Sequence, residues 1–434
     1  MSLKDQIEPR AAEAIASSQP ATIFYGWWVV LAAAIGLALH VGPIVGGTFG
    51  VFLKPLSQEF GWSRGQISIA FSLTSIAGMV SAPLVGRLVD YVGARRVLLP
   101  AILCFGLTLI SLAALSRHLW LFYLIYFLIG AVGSGTTPVP YAKVITRWFG
   151  RRRGFALGLS VAASSLSFAL MPSLARALIA GVGWRGAYVV IGLMVLGIAI
   201  PVVALLIQED PQLIGLKADG ISGDELSHAK LCGEDHAQAF SQALHTGTFW
   251  LIAAAFFLMS VSFHGCIVHL VPMLTDRGFS PRDAALAASL VGAGGLLARL
   301  GVGYLLDLFF APAVAVGFFS SSTIGLVLLW SGAHGFLPFA AAFLVGVGQG
   351  AELDVIPYLV SRYFGLRAFA HLYGYLFAAF LLGAAVGPPI MGVGFDAMGS
   401  YGPMLAMLAF CTLLAVSLVS RIGPYPESPK PAAA

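Results

Sequence analysis

Apolar and polar positions along the chain separate into long unbroken apolar runs divided by short polar breaks. The runs fall at 24–52, 66–86, 97–115, 119–146, 155–180 and 186–207, then at 248–274, 283–306, 312–331, 335–361, 369–393 and 401–420. A helix needs roughly 20 apolar residues to cross a bilayer core, so each run predicts one span. The runs are continuously apolar and lack the in-out alternation of barrel strands. The pattern therefore predicts an all-α membrane protein of twelve transmembrane helices. Composition agrees: 59% of the residues are hydrophobic and 10% charged, against about 25% charged in a soluble domain.

Basic residues are retained on the cytoplasmic side of a membrane protein, and here they favour the even-numbered connections. Those hold Arg87, Arg95 and Arg96, then Arg147, Arg151, Arg152 and Arg153, then Lys217 and Lys230, then Arg362 and Arg367. The odd-numbered connections share Lys54, Arg64, Arg117, Arg176, Arg185, Arg277 and Arg282 among five loops. Both termini are thus expected in the cytoplasm, with the chain multi-pass in the cell membrane. The net charge of +5 reflects this bias, and no nucleic-acid partner is expected. The first 23 residues mix Lys4 and Arg10 with Asp5, Glu8 and Glu13 and have no apolar core. They resemble neither a signal peptide nor a transit peptide, so insertion is expected to use the first span. Cys104, Cys232, Cys266 and Cys411 are scattered without metal or disulfide spacing; no metal or cofactor is expected.

The longest polar stretch, Gln208 to His245, contains Glu209, Asp210, Asp219, Asp224, Glu225, Glu234 and Asp235 and reads as a solvated connector. The expected organisation is a tail (1–23), a six-helix bundle (24–207), a linker (208–247), a second six-helix bundle (248–421) and a tail (422–434). The halves repeat. GRLVD at Gly86 recurs as GYLLD at Gly303, an offset of 303 − 86 = 217, and RWFG at Arg147 recurs as RYFG at Arg362, an offset of 362 − 147 = 215. Two motifs at nearly one offset, each after the same helix of its half, indicate duplication. Such architecture suits alternating access around a site near the bilayer midplane.

GRLVDYVGARR, Gly86 to Arg96, resembles the loop motif between helices two and three of the major facilitator superfamily. Tyr91 stands where that motif has a basic residue, and the second copy keeps Gly303, Leu305 and Asp307 but loses the basic part. The resemblance implies gating roles for Asp90, Arg95, Arg96 and Asp307, with Arg95 and Arg96 also serving topology.

WFGRRRGFALGLSVAASSL, Trp148 to Leu166, together with GWWVV at Gly26, resembles the signatures of monocarboxylate transporters and of oxalate/formate antiporters. In both, helix eight carries an arginine four residues before the glycine and eight before the aspartate of the second loop motif; Arg299 occupies that position (303 − 4 = 307 − 8 = 299). The resemblance implies that Arg299 binds the substrate carboxylate, for which a planar guanidinium offers a bidentate fork. A cation within an apolar span needs a compensating anion. The antiporters' second cation, a lysine in helix eleven, is replaced by Phe380 in YGYLFAAF, which argues for a monoanion. The helix-one lysine of animal monocarboxylate transporters is missing here, and their helix-eight acid is Gly295, so their proton route does not transfer.

Helix ten offers Glu352 and Asp354 within an apolar run. An apolar surround disfavours the charged form of a carboxyl, which suits proton binding. Two residues apart on a helix, the two face different sides. Glu352 shares a side with Gln349 and is expected in the cavity; Asp354 is expected to be a structural partner of Tyr358 or a basic side chain. Among His40, His264 and His269, His269 near Pro272 is expected to be the second substrate ligand, with His40 behind it. Pro138 and Pro140 in helix four free backbone groups that can line a wet cavity, and Tyr141 either faces it or packs. The leading expectation is a monomeric secondary transporter moving a small organic monocarboxylate with a proton. Carboxylate exchange and drug export are the competing transport modes. The chain carries no HExxH, no GxSxG and no metal-ligand cluster in sequence, which argues against an enzyme, and a sensor on the same fold is the remaining rival.

Overall fold

The computed structural model describes residues 24–149, 152–214, 243–332, 334–364 and 369–425. Most of the connector between the expected halves, 215–242, lies outside the described residues, as do both tails beyond 24 and 425 and Arg151 and Arg367. Eleven described helical segments are long and apolar enough to cross a membrane. One of them, Gly154–Leu206, has 53 residues, about 80 Å at 1.5 Å per residue and too long for one crossing. It turns at Gly183, whose φ of +73° and ψ of 171° leave the helical region. Only glycine adopts that backbone without strain. Division there gives twelve spans.

They are α1 (Gly26–Phe60), α2 (Arg64–Val92), α3 (Ala94–Ala114), α4 (Leu119–Trp148), α5 (153–182) and α6 (184–206). The second set is α7 (Gly247–Asp276), α8 (Pro281–Leu308), α9 (Ala311–Trp330), α10 (Leu337–Phe364), α11 (Phe369–Met398) and α12 (Gly402–Ser420). Local chemistry sets several starts. Ser63 and Gln66 form a reciprocal capping box at α2. Thr246 caps α7 and Ser280 caps α8, with Pro281 in the first turn. Among the interruptions, α1 and α6 pass through π-helical turns at Gly42–Gly46 and Val195–Ala199, and α4 through a 3-10 turn at Ser134–Thr136 before Pro138. Proline lacks an N–H, so a break there leaves carbonyls free of the helical ladder.

The two sets of six meet mainly along α2 with α11 and α5 with α8, and also where α1 crosses α7. Small residues permit the close approach. A Cβ on Gly292 of α8 would lie 2.3 Å from the Ala169 nitrogen of α5, and one on Gly392 of α11 would lie 2.8 Å from the Gly65 Cα of α2.

The buried apolar core shows on which face the sets join. One continuous cluster runs through α1–α6 and continues into the ends of α7 to α12 that border the odd-numbered loops, including Val268, Ala288, Leu326, Val345, Met391 and Leu405. A separate cluster, with Phe256, Val302, Phe319, Ile356, Leu376 and Val419, fills the other end of α7–α12 and contains no residue of α1–α6. The sets are thus fused at the odd-loop face and packed separately at the even-loop face.

Polar contacts across the odd-loop face reinforce the seal. Asp276, ending α7, pairs with Lys54 of α1 at 2.6 Å and with Arg64 of α2 at 2.5 Å. Asp396 of α11 accepts from the first N–H groups of α2, Arg64 at 3.1 Å and Gly65 at 2.8 Å, where a helix N-terminus favours an anion. Lys54 and Arg64, expected in or beside a loop, are instead built into this seal because α1 runs on to Phe60. At the even-loop face Asp90 pairs with Lys143 of α4 at 2.9 Å, within the first set.

Candidate substrate site between the two sets of helices

Arg299 sits on α8 nine residues before its end at Leu308. Its guanidinium reaches across the boundary. Nη1 donates to Ser165 Oγ of α5 at 3.0 Å, and Nε donates to Asp354 Oδ2 of α10 at 3.1 Å. The Arg299 side chain retains 15% of its exposure and that of Asp354 37%, so the pair lies at the surface of the cleft rather than inside the packed core. The compensating anion for the intramembrane cation is Asp354.

Of the two partners expected for Asp354, Tyr358 or a basic side chain, the structure gives it a basic one, Arg299; the place of Glu352 differs from the expected one. Glu352 is fully buried, and neither carboxylate oxygen has a hydrogen-bond partner. Its neighbour one turn earlier, Gly348, abuts Ser322 and Phe318 of α9, so Glu352 lies on the α9 side of α10 and not on the cleft. Two residues apart means about 200° of rotation on a helix; the rotation was legible, but which acid pointed where depended on how α10 packs on α9. Gln349 is half-buried and faces α8, its Oε1 3.5 Å from the position of a Cβ on Gly295, one turn from Arg299.

His269 is also displaced from its expected role. Its ring is fully buried in the odd-loop seal. Nδ1 lies 2.9 Å from the Tyr401 hydroxyl of α12, and Nε2 lies 3.0 Å from both Ser68 Oγ of α2 and the Pro388 carbonyl of α11. A ring with both nitrogens occupied ties four helices and has no valence for a substrate. His40 stands at the break in α1, with Nδ1 2.6 Å from the Leu37 carbonyl, and within electrostatic reach of Arg299. His264, passed over in sequence, is the half-exposed histidine of α7. Tyr141 packs: it is fully buried, its hydroxyl has no partner, and a Cβ on Gly36 of α1 would lie 2.1 Å from it.

Phe380 is nearly buried, its ring 5.4 Å from that of His264. It ends a row on α11: Tyr373 stacks on Phe377 at 5.9 Å and Phe377 on Phe380 at 5.7 Å. Tyr373 lies within electrostatic reach of both Asp354 and Arg299. The spacing i, i+4, i+7 of the three aromatics was available in the sequence as a one-sided stripe. Ser165 had no such signal, because its contact forms only where the two sets meet.

Of the expected gating residues, Asp90 is held by Lys143, whose ammonium also donates to the Val89 carbonyl at 2.7 Å. The Arg95 amide donates to Glu209 Oε1 at 2.9 Å, and its side chain donates to the Ala204 carbonyl. Arg96 is exposed. Asp307 lies in the last turn of α8, and its side chain is outside the described set.

The arrangement can bind an anion. A guanidinium that already pairs with one carboxylate and donates to a serine has the chemistry to pair with another carboxylate.

The pattern of the Major Facilitator Superfamily matches residues 35–370. Among curated proteins, the chain is 27% identical over 392 residues to monocarboxylate transporter 11 of Mus musculus, covering 87% of this chain and 83% of that one. It is 27% identical over 395 residues to monocarboxylate transporter 13 of Bos taurus, covering 87% and 84%. An MFS-type transporter of Gibberella moniliformis matches at 24% over 400 residues, covering 90% and 88%. Among solved structures, a bacterial homologue of the human lysosomal transporter Spinster, described as inward-facing and unoccupied, superposes with a TM-score of 0.66 at 17% identity, covering 92% of this chain and 95% of that one.

Proposed function

Given that the chain belongs to the Major Facilitator Superfamily, and so is a multi-pass membrane transporter and not an enzyme, we propose that it moves small organic monocarboxylates together with a proton. The observation that carries this reading is the Arg299–Asp354 pair at the cleft. Relatives named monocarboxylate transporters support the substrate class.

In the proposed cycle the substrate carboxylate takes the place of Asp354 on Arg299. Asp354 must first become neutral, because two anions on one cation in an apolar surround are strongly disfavoured. A proton on Asp354 therefore releases Arg299, and the guanidinium offers its fork to the incoming carboxylate. Ser165 fixes the guanidinium from the opposite set of helices, so substrate binding is felt by both sets. The even-loop face, rich in Lys and Arg, is assigned to the cytoplasm. The conformer sealed by Asp276, Arg64 and Lys54 is then open to the cytoplasm and closed to the outside.

The test is uptake of radiolabelled acetate, lactate and benzoate into liposomes holding the purified protein, with and without an imposed inward proton gradient, alongside Arg299→Lys. Gradient-driven accumulation by the native protein is expected. Arg299→Lys keeps the charge and loses the fork; replacing a charge-assisted bidentate contact costs about 2 kcal/mol, or roughly 30-fold in binding. Near-normal transport by Arg299→Lys overturns the assignment of the carboxylate site. Uptake that ignores the gradient and requires an internal carboxylate identifies an exchanger instead.

A further inference from the structure

The walls around Arg299 are more aromatic than a two- or three-carbon acid requires. Tyr373, Phe377 and Phe380 stand one above another on α11 with interplanar angles of 15° and 14° between successive rings. Seven residues of helix carry that row over about 10 Å. Its lower end lies beside the Arg299–Asp354 pair. At its upper end the ring of His264 stands at 76° to Phe380 and 5.9 Å from Phe71 of α2, while Phe263 lies 6.4 Å from Phe168 of α5. Helices α2, α5, α7 and α11 thus each contribute an aromatic side chain to the packed end that the row runs into. His264 Nδ1 is engaged within its own helix by the Ser260 carbonyl at 3.0 Å, so the ring is fixed on edge against Phe380. The row contains no second cation, since Phe380 holds the inner position.

An acetate or lactate anion seated on Arg299 would reach little of this row. Phe377 is half-buried, and an apolar body of matching length would cover the part of its ring that a short acid leaves open. Parallel rings on one wall with an edge-on ring at the end offer a flat ring both of the geometries that aromatic pairs prefer, stacking along the wall and an angled contact at its end.

Resting on the carboxylate reading of Arg299, we infer that the preferred cargo is a monocarboxylate bearing an aromatic ring, with its carboxylate on Arg299 and its ring against Phe377, Phe380 and His264. Tyr373 at the foot of the row closes the slot beside the carboxylate, and Phe380 sets its depth.

The test is calorimetric binding to the purified native protein at pH 6 with acetate, phenylacetate, 3-phenylpropionate, cyclohexylacetate and phenylacetamide. Phenylacetate and 3-phenylpropionate should bind at least tenfold tighter than acetate, and phenylacetate about threefold or more tighter than cyclohexylacetate, which matches its bulk without the ring's π face. Phenylacetamide should not bind. In Phe377→Leu and Phe380→Leu, which keep apolar bulk and so favour folding, the phenylacetate-to-acetate affinity ratio should fall below about three. Acids of all sizes binding within threefold of one another overturn the aromatic preference and leave the carboxylate site intact. Equal binding of phenylacetate and cyclohexylacetate also overturns it, as does a ratio unchanged in both leucine variants. Failure of every acid to bind, or binding of phenylacetamide as tight as that of phenylacetate, instead defeats the carboxylate reading on which the inference rests.

Discussion

In the proposed cycle, Asp354→Asn isolates the step on which coupling depends. The carboxylate that holds Arg299 in the unloaded site is lost, while side-chain volume and a hydrogen-bonding group are kept. At 3.1 Å the bare attraction of two unit charges is about 5 kcal/mol at an effective dielectric constant of 20. The net value is much smaller. Asp354 keeps 37% of its side-chain exposure and Arg299 15%, so solvent screens part of the attraction: exposed pairs contribute about 0–1 kcal/mol, and a hydrogen bond to a charged group about 1.5–3 kcal/mol. An intermediate of about 1–2 kcal/mol is what an incoming anion must overcome to displace Asp354, a factor of roughly 5 to 30 in affinity. At pH 7.5 the variant should therefore bind substrate tighter than the native protein by about that factor, and the difference should shrink as the pH falls. Its affinity should be nearly independent of pH. Reconstituted, it should exchange labelled substrate between the two sides but fail to accumulate it under an inward proton gradient. Calorimetry across pH 5 to 8, with counterflow and gradient-driven uptake in parallel, reads all three quantities. Full gradient-driven accumulation by Asp354→Asn, or a pH profile identical to that of the native protein, refutes the displacement mechanism.

Glu352, buried without a partner on the α9 side of α10, should be dispensable for coupling: Glu352→Gln is expected to keep gradient-driven accumulation. Glu352→Met, which removes an unsatisfied buried polar group worth about 1–3 kcal/mol, is expected to raise the thermal midpoint; loss of accumulation in the glutamine variant would move the proton to this residue. Asp276→Asn removes two ion pairs of the odd-loop seal, together worth about 1 kcal/mol at their exposure, and so about a fivefold shift toward the conformer open at that face. Ser72 of α2 is buried against α11, its hydroxyl donating to the Ala385 carbonyl; the labelling rate of Ser72→Cys, in a background with the native cysteines replaced by serine, should rise by about that factor with a membrane-impermeant reagent added from the odd-loop side, and an unchanged rate would show that the seal is held by apolar packing alone.

The twelve spans were legible because bilayer thickness sets a length scale that apolar runs must meet, and the duplication was legible from two motifs at one offset. Their ends were less so. Lys54 and Glu59 look like loop residues in a hydropathy reading, yet α1 carries both because they find partners: Lys54 on Asp276, and Glu59 on the Trp184 indole at 2.5 Å and on Arg185. The turn at Gly183 is a single residue, where the polar pattern placed a break between 180 and 186. Arg299 was singled out through its distance from two motif residues, a relation internal to one helix. Asp354 was expected to meet Tyr358 or a basic side chain, but that the partner is Arg299, and that Ser165 and Tyr373 stand near it, depends on how α10, α5 and α11 pack on α8. Helix ten shows the limit well: its sequence fixes the angle between Glu352 and Asp354 and leaves the rotation of the helix to its packing. His269 shows the converse error, since proximity to a proline in a cavity helix describes a buried interfacial histidine as well as a ligand.

In the proposed cycle, charge balance at the Arg299 site sets which species can cross. With Asp354 ionised and no substrate, the site is neutral. With Asp354 protonated and a carboxylate on Arg299, it is neutral again. The two remaining combinations are not: a protonated Asp354 without substrate leaves an uncompensated guanidinium, and an ionised Asp354 with substrate leaves one excess negative charge. During the change from one open face to the other, water is excluded from the cleft and an uncompensated ion there costs several kcal/mol. At about 3 kcal/mol such a species crosses roughly 150 times more slowly than a neutral one. Coupling at one proton per carboxylate then follows from desolvation, with no separate gate to enforce it, and the empty carrier returns without leaking protons. Transport in this scheme moves no net charge. Potassium-loaded liposomes with valinomycin, which set a membrane potential at fixed pH, should show the same uptake rate at zero and at 100 mV. A 100 mV potential is worth about 2.3 kcal/mol per elementary charge, up to roughly 50-fold in the accumulation ratio, so charge-moving transport would be unmistakable. Accumulation that follows the potential would require a second proton or a different charge state at Asp354, and the neutral-site scheme would fail.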